Sequence, residues 1–344
     1  MNLMPDLRIV QNLVSDRMAA LPLAIVYITD RCNSKCITCD YWRFGQTNMT
    51  LAAAQTLAAN LRSLGTRMVL ISGGEPLLHP HWAELVSVLR AAERQVVLLT
   101  SGILLAKHAV RVSALCCHTI VSLDGAEPET YKRIRGVDGL AAVERGVRAL
   151  VERGAAVSVR CTVQRDNYGE LAAIVRIAHA WGVQSVSFLA VDVSTHQAFA
   201  RQGEFERQMA LGAGDLPRFD RVLDAMQQEF ASDFASGFIA KSPAQLRRLR
   251  QYFAALTGSG VLPPVRCNAP RFSAVIETDG SLKPCYFLPA WGSLSGRELA
   301  AALNDPEAIA LRRAQRLGER EECKRCVCSA YRGTRELLRA ELLR

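Results

Sequence analysis

The sequence lacks any apolar stretch long enough to cross a membrane, and its start lacks the basic-then-apolar pattern of a secretory signal. The apolar run 21–28 is far too short to span a bilayer. Histidine is scarce, with 6 residues in 344, and the nearest to the first group of cysteines is His79. These absences predict a cytoplasmic protein without membrane insertion, and they disfavour a zinc site built from those cysteines and histidine.

Acidic residues are outnumbered, since 33 Asp and Glu face 42 Lys and Arg, giving a formal net charge of +9. Arginine is spread through helical segments such as 245–250, which is typical of solvated helix faces rather than of a DNA-binding patch. We therefore expect no DNA partner. A basic surface suits an acidic substrate, a phosphate-bearing one or an acidic electron donor, and the sequence does not choose among them.

The 11 cysteines are an odd number in a chain without a secretory signal, which indicates metal or redox chemistry rather than disulfides. Three of them, Cys32, Cys36 and Cys39, lie on a short loop directly after the run 21–28, which we interpret as a buried strand. Three thiolates from one loop wrap one face of a cubane iron–sulfur cluster and leave one iron free for a small molecule. Zinc is the alternative, but it requires a fourth ligand close by.

Strands and helices alternate between residues 21 and 190. The predicted strands are 21–28, 67–71, 95–100, 118–123, 156–163 and 184–189, and the predicted helices between them include 50–64, 79–92, 140–153 and 171–181. This alternation specifies parallel βαβ units. Because a closed eight-fold barrel needs more units, the fold class is α/β, with an open, partial (β/α)6 TIM-like barrel. A short amphipathic helix within residues 1–20 is expected to cap the bottom of the barrel.

Two motifs together resemble a known family. The cysteine loop, followed by Ser72-Gly73-Gly74-Glu75-Pro76 after the second strand, resembles the radical S-adenosylmethionine (radical SAM) superfamily. The resemblance implies that a [4Fe-4S] cluster on the loop binds S-adenosylmethionine (SAM) and cleaves it to a 5′-deoxyadenosyl radical, which abstracts hydrogen from a substrate. It also implies a reductant of the flavodoxin or ferredoxin type. Standing alone, the Gly-Gly turn would be an ordinary strand-to-helix turn.

The same resemblance assigns residues to the cofactor. Gly73, Gly74, Glu75 and Pro76 are expected to hold the amino group of SAM. The other expected contacts come after later strands: Ser101 in a Thr-Ser-Gly turn, Ser122 and Asp124 along the ribose and methionyl part, Arg135 on the carboxylate, and Gln164 and Asn167 near adenine or ribose. For Arg135 the alternative is a surface salt bridge. Thr38 stands where relatives often carry an aromatic residue, and Tyr41 and Trp42 follow it as candidates for covering adenine.

Five more cysteines lie near the end of the sequence, at Cys267, Cys285, Cys323, Cys326 and Cys328. The stretch 272–284 predicts a β-hairpin turning at Asp279-Gly280, which brings the first two thiols together. Residues 278–285 resemble the hairpin of the SPASM and Twitch extensions, which bind auxiliary iron–sulfur clusters.

Five thiols cannot supply two fully thiolate-ligated cubanes, so we expect one auxiliary [4Fe-4S] cluster in a small hairpin-and-helix extension. Its expected ligands are Cys267, Cys285, Cys323 and Cys326, and Cys328 either replaces Cys326 or lies free beside the cluster. The alternative is a structural zinc site.

These patterns divide the chain into an N-terminal helix (1–20), the barrel (21–190), substrate-lining helices (191–262) and the cluster-binding extension (263–344). His196, at the start of the third segment, is a candidate substrate contact or proton donor; the alternative is a solvated loop histidine. No oligomeric state follows from the sequence.

The expected function is hydrogen abstraction from a small metabolite or natural-product intermediate. The first strand begins at about residue 21, so no N-terminal peptide-recognition domain is expected, which favours a small molecule over a leader-bearing peptide. Two alternatives stay open. A peptide-modifying maturase would share all these residues, whereas a non-enzymatic iron–sulfur electron carrier would need neither the Gly-Gly turn nor Ser122 and Asp124.

Overall fold

The computed structural model describes residues 7–91, 94–195, 198–201, 207–294 and 296–339. In this part of the chain, one sheet holds nine strands in the order β6-β5-β4-β3-β2-β1-β7-β8-β9. The strands are β1 (Leu23–Thr29), β2 (Met68–Gly73), β3 (Gln95–Thr100), β4 (His118–Ser122), β5 (Val157–Val163), β6 (Ser185–Ala190), β7 (Ser273–Ile276), β8 (Ser281–Lys283) and β9 (Gly292–Ser293).

Helices connect and cover the strands. They are α1 (Arg8–Val14), α2 (Tyr41–Phe44), α3 (Leu51–Ser63), α4 (Trp82–Arg90), α5 (Leu105–Leu115), α6 (Pro128–Arg135), α7 (Leu140–Val151), α8 (Leu171–Ala180), α9 (Leu216–Glu229), α10 (Ala231–Ser236), α11 (Pro243–Leu256), α12 (Leu299–Ala302), α13 (Pro306–Arg316), α14 (Glu321–Lys324) and α15 (Thr334–Arg339). Five short 3₁₀ turns complete the described elements: Pro76–Leu78, Ala198–Ala200, Arg207–Met209, Ala213–Asp215 and Ala269–Arg271.

Strands β1 to β6 are all parallel and pair in chain order, each with the next. Parallel neighbours require crossover connections, and α3, α4, α5, α7 and α8 supply them. The carboxyl ends of all six strands therefore lie at one edge of the sheet. The partial (β/α)6 barrel predicted from the alternation is confirmed, and this edge is where its loops gather.

The predicted hairpin is also confirmed, because β7 and β8 pair antiparallel and Gly280 turns between them with a φ of +83°. The Asp279 side chain accepts a hydrogen bond from the Ser281 N–H at 2.8 Å, which stabilises the turn. The hairpin does not stand apart from the barrel. Strand β7 pairs parallel with β1, so the C-terminal extension continues the barrel sheet at its open edge.

The main apolar core lies between the sheet and the helices, and a second cluster closes the bottom of the barrel. In the second cluster, Ile9 of α1 and Leu337 of α15 pack with inward-facing residues at the starts of the strands. Asn12 fixes α1 there, because its side-chain amide donates to the carbonyls of Ala20 and Arg271. The N-terminal helix therefore caps the barrel as expected. Within the described residues, no helix is long and apolar enough to cross a membrane.

Helix starts followed local capping signals in some places and not in others. The Thr50 hydroxyl accepts from the Ala53 N–H at 3.1 Å and begins α3, and Ser242 caps α11 in the same way. The predicted helix start at His79 is wrong. The chain first forms a 3₁₀ turn at Pro76–Leu78, and α4 begins only at Trp82.

Candidate functional site

The three cysteines of the first loop share one cavity at the carboxyl edge of the sheet. Cys32, Cys36 and Cys39 are free thiols and line a cavity of about 220 Å³, called here the cysteine-loop cavity. Its lining also includes six residues expected at the cofactor: Gly73, Gly74, Ser101, Ser122, Asp124 and Arg135. The parallel fold thus brings together residues from the ends of four strands.

Two glycines hold the turn after β2 against the cysteine loop. A Cβ on Gly73 would overlap the Thr29 carbonyl oxygen, and one on Gly74 would overlap the Arg31 carbonyl oxygen. The contact is closed by hydrogen bonds from the Gly74 N–H to Thr29 and from the Glu75 N–H to Arg31, at 2.8 and 2.7 Å. Glycine is needed here because only a residue without a side chain allows this backbone approach.

The loop is held on its other side by the end of α6. The Lys35 and Ile37 N–H groups donate to the carbonyls of Arg135 and Ile134 at 2.8 and 3.1 Å. Gly136 ends the helix with a φ of +67°, and a Cβ there would overlap the Lys35 carbonyl oxygen. The cysteine loop is therefore fixed between two turns that belong to different βα units.

Glu75 is fully buried, and its carboxylate faces protein donors rather than the cavity. It accepts hydrogen bonds from the Leu77 N–H at 3.1 Å, the Thr100 hydroxyl at 2.8 Å, and the N–H and hydroxyl of Ser101 at 2.7 and 2.6 Å. Pro76 does not line the cavity either. This geometry makes Glu75 a brace between the turns after β2 and β3; its contact with SAM stays a prediction.

Asp124 and Arg135 form a buried pair at the cavity wall. Arg135 Nη1 lies 3.1 Å from Asp124 Oδ2, and the two side chains are only 12% and 6% exposed. Asp124 Oδ1 also accepts from the Thr162 N–H at 2.7 Å. The Nε of Arg135 is buried without a protein acceptor, and Arg135 is one of the residues that line the cavity. The alternative of a surface salt bridge does not apply to Arg135, because the pair is not at the surface.

Gln164 and Asn167 brace this pair from behind and do not line the cavity. The Asn167 amide donates to the Asp124 carbonyl at 2.9 Å, and its oxygen accepts from the Gln164 N–H at 2.8 Å. Of the two aromatic candidates, Tyr41 lines the cavity and Trp42 does not.

Burial dominates the electrostatics of the loop thiols. It raises the pKa of Cys32 to about 11 and that of Cys39 to about 12, and it also raises the pKa of Cys36. Arg135 opposes the effect at all three sulfurs, since a nearby cation favours the thiolate. Without a metal these groups are protonated thiols at neutral pH, and binding a metal group releases their protons.

The segment after β6 closes on the cysteine loop, a contact that was not predicted from the sequence. Arg201 donates from Nε and Nη2 to the Thr38 carbonyl, both at 3.1 Å, and forms a buried ion pair with Asp192 at 3.2 Å. The Phe199 carbonyl accepts from the Asp40 N–H at 3.0 Å. Phe199 has a φ of +59°, a strained conformation for a non-glycine residue and one that is common near functional sites. His196 lies outside the described residues.

The five C-terminal cysteines also share one cavity. All five line a second cavity of about 220 Å³, called here the five-thiol cavity. They lie at Cys267, Cys285, Cys323, Cys326 and Cys328, and all are free thiols. Burial raises the pKa of Cys285 to about 12 and that of Cys323 to about 11. Of the five, only Cys328 also lines the cysteine-loop cavity.

One wall separates the two thiol-lined cavities. Arg160, Tyr286, Phe287 and Cys328 line both. Arg160 also lines a third cavity of about 930 Å³ between β4–β6, α11 and the C-terminal segment, called here the basic cavity. Sequence reasoning missed Arg160. The signal was available, because Ser158, Arg160 and Thr162 alternate with apolar residues along β5 and so share one face of the sheet.

No group of three His, Cys, Asp or Glu side chains in the described residues is placed to hold a single metal ion. The donor sets are instead two groups of free thiols, each lining one cavity.

Comparison with known families gives the same division of the sequence. The model of the radical SAM superfamily matches residues 26–178, and that of SPASM, an iron–sulfur cluster-binding domain, matches residues 267–327. The chain is a radical SAM enzyme with a C-terminal SPASM domain. The first matched region contains Cys32, Cys36 and Cys39, and the second contains every C-terminal cysteine of the group except Cys328, so the resemblance expected from the sequence is confirmed.

The radical SAM chain is similar to several known proteins. A probable GTP 3′,8-cyclase of Methanococcus maripaludis (strain S2) is 26% identical over 223 residues, 59% of this chain and 73% of that protein. One from strain C7 is 32% identical over 132 residues, 37% of this chain and 44% of that protein. Streptococcus suis SuiB bound to S-adenosylmethionine superimposes with a TM-score of 0.65 at 15% identity, over 94% of this chain and 76% of SuiB. The last likeness is one of fold.

Membership of the radical SAM family implies SAM and a [4Fe-4S] cluster, and the SPASM domain implies auxiliary iron–sulfur binding. The residues present fit these groups. Three free thiols and Arg135 line one cavity, and five free thiols line the other.

Proposed function

We propose that this radical SAM enzyme abstracts hydrogen from a small metabolite or natural-product intermediate, with a net oxidation of that substrate. The observation that carries the proposal is the wall at Arg160, Tyr286, Phe287 and Cys328. The cysteine-loop cavity, the five-thiol cavity and the basic cavity, which is of small-molecule size, all adjoin this wall. A substrate bound there is within reach of both redox groups.

The proposed roles at the cysteine-loop cavity are those expected from the resemblance, and the residues that line the cavity support them. Cys32, Cys36 and Cys39 hold the [4Fe-4S] cluster. Ser122 and Arg135 line the cavity and suit the SAM carboxylate, while the turn at Gly73-Gly74 lines it too and suits the amino group. The buried Asp124 keeps the Arg135 guanidinium in place.

The proposed auxiliary ligands are Cys267, Cys285, Cys323 and Cys326, which hold one cluster. Cys328 lies at the wall between the two thiol-lined cavities, and this position supports its assignment as the thiol left beside the cluster. When bound, the loop cluster supplies the electron that releases a hydrogen-abstracting radical from SAM, and the auxiliary cluster supplies an acceptor for the electron left on the substrate.

The substrate side of the proposal rests on segment 191–262 and the C-terminal extension. Lys241 and the α11 residues Gln245, Arg248 and Tyr252 line the basic cavity, which supports the proposed substrate-lining role of that segment. The curated relatives named GTP 3′,8-cyclase act on a small phosphorylated molecule by name, in keeping with such a cavity. SuiB has also been solved with its precursor peptide SuiA, but that likeness is at 15% identity and is one of fold.

Isotope transfer tests the proposed function. Anaerobically reconstituted protein should hold about eight irons and form 5′-deoxyadenosine from SAM with dithionite. With a panel of deuterated nucleotides and sugar phosphates, the true substrate transfers deuterium into that product. The Cys32→Ala/Cys36→Ala/Cys39→Ala variant is the control and should form none. Turnover by this variant at the wild-type rate, or unlabelled product across the panel, would count against the proposal.

A further inference from the structure

The basic cavity is lined by cations from three parts of the chain. Arg160 comes from β5, and Arg248 comes from α11, with Lys241 just before that helix. Arg266 and Arg325 come from the C-terminal extension. No Asp or Glu appears among the described residues that line this cavity. A concave volume lined by one sign of charge concentrates counter-ions from solution.

The innermost cations have no carboxylate partner. Among the described residues, the Arg160 side chain has no hydrogen bond or ion pair, and its Nε is buried without an acceptor. Lys241 has no ion pair with any of these residues. The Arg248 side chain donates to the Pro264 carbonyl, and the Arg266 guanidinium lies 3.7 Å from the centre of the Tyr331 ring. By contrast, Arg176 on α8 is paired with Glu229 at 2.6 Å.

The cations also act on one another. Burial lowers the pKa of Lys241; nearby Cys328 opposes this shift, and the charges of Arg160 and Arg248 add to it. Like charges held this close destabilise one another unless an anion lies between them. His118, on the same cavity wall, adds no charge at neutral pH, because burial lowers its pKa. The positive charge of this cavity therefore comes from its arginines and lysines, Arg160, Lys241 and Arg248 among them.

Arg160 lies between the basic cavity and the two thiol-lined cavities, because it lines the cysteine-loop cavity and the five-thiol cavity as well. An anion held by Arg160 would fix the rest of a substrate against the wall shared by those cavities. The cations come from separate elements and surround one volume of about 930 Å³, which is within the size range of small-molecule pockets. Several cations without a carboxylate match a multiply charged phosphate better than a single carboxylate.

We propose that the basic cavity binds the phosphate group of a small phosphate-ester substrate, with Arg160 and Lys241 as the residues that hold the anion. This inference rests on the proposed function, because it names the substrate class of the same site.

Direct binding of inorganic pyrophosphate tests it. Radiolabelled pyrophosphate is dialysed to equilibrium against the reconstituted holoenzyme without reductant or SAM. We expect Arg160→Met and Lys241→Met each to weaken binding by about tenfold or more, because each removes a charge-assisted contact. Arg160→Lys, which keeps the charge, should bind more tightly than Arg160→Met. Iron content and circular dichroism show that each variant is folded. Arg176→Met, an exposed arginine outside the cavity, is the matched control and should bind as wild type does.

Equal affinity in wild type, Arg160→Met and Lys241→Met would overturn the inference. Malonate and hexaglutamate serve as competitors. If either one displaces bound pyrophosphate as effectively as unlabelled pyrophosphate does, the phosphate assignment is wrong.

The two proposals fail separately. If the affinity for pyrophosphate is the same with and without the Arg160 side chain, while a substrate still transfers deuterium to 5′-deoxyadenosine, the phosphate site is wrong and the proposed function stands. If binding depends on Arg160 but no 5′-deoxyadenosine forms, the radical chemistry is wrong.

Discussion

Replacing the buried carboxylate Glu75 by an amide tests the brace that joins two turns of the site. Its Oε1 accepts from the Leu77 N–H at 3.1 Å, and its Oε2 accepts from the Ser101 N–H at 2.7 Å. In Glu75→Gln one of the two positions carries an NH₂ group, which faces a backbone N–H whichever way the amide is turned. Hydroxyl groups can rotate to accept a hydrogen bond, but a backbone N–H cannot.

The expected cost follows from this conflict. One charge-assisted hydrogen bond is lost and one backbone N–H is left buried without an acceptor, which together amount to about 3 kcal/mol. We expect the free energy of unfolding of Glu75→Gln to fall by that amount in urea denaturation of the metal-free protein, followed by circular dichroism.

Glu84→Gln is the matched control. This glutamate is 63% exposed on α4 beside His81, so the same substitution should change stability by less than about 0.5 kcal/mol. If Glu75→Gln is as stable as wild type, or if Glu84→Gln loses as much, the carboxylate does not brace the two turns.

Three further substitutions test other contacts. Cys285→Ala should lower iron content by about four atoms per chain, whereas exposed Cys117→Ala should leave it unchanged. Gly74→Ala should lower the free energy of unfolding by about 2–3 kcal/mol, because the added Cβ would overlap the Arg31 carbonyl oxygen. Gly214→Ala places its Cβ in open space and should leave the stability unchanged. Burial raises the pKa of Cys116 to about 12 from 9.0, so above pH 9 the unfolded state loses that proton first. The stability advantage of wild type over Cys116→Ala should therefore fall by about 1.4 kcal/mol per pH unit between pH 9 and 12.

Each of these results has a contrary outcome. Full iron content in Cys285→Ala would remove this cysteine from the auxiliary ligands. Equal stability of the two glycine variants would mean that the loop shifts to accept a methyl group. For Cys116, a stability difference that stays constant up to pH 12 would show that the thiol ionises in the folded state as readily as in the unfolded state.

Local signals in the sequence predicted the framework of the site. The cysteine spacing after a β-rich run placed Cys32 on the loop that follows β1, and Asp279-Gly280 predicted the hairpin turn. Thr50 predicted the start of α3. Each of these features is decided by residues within a few positions of one another, so each can be read without knowledge of the fold.

Long-range contacts were not predictable in the same way. The pairing of β7 with β1 joins residues about 250 positions apart, and Arg201 reaches the Thr38 carbonyl across 163 positions. Glu75 was assigned to the cofactor from its motif, yet its hydrogen bonds to Thr100 and Ser101 depend on how β2 and β3 align. The α5 and α6 helices were not assigned from sequence either. Such features depend on tertiary packing, which local pattern does not encode.

The most direct test of the account is whether the loop cluster binds SAM through an open iron. In a Cys267→Ala/Cys285→Ala background, which removes the auxiliary cluster, the dithionite-reduced protein should give one electron paramagnetic resonance signal from the group held by Cys32, Cys36 and Cys39. We predict that adding SAM changes the g-values of that signal. A reduced cluster whose spectrum is identical with and without SAM would contradict the account.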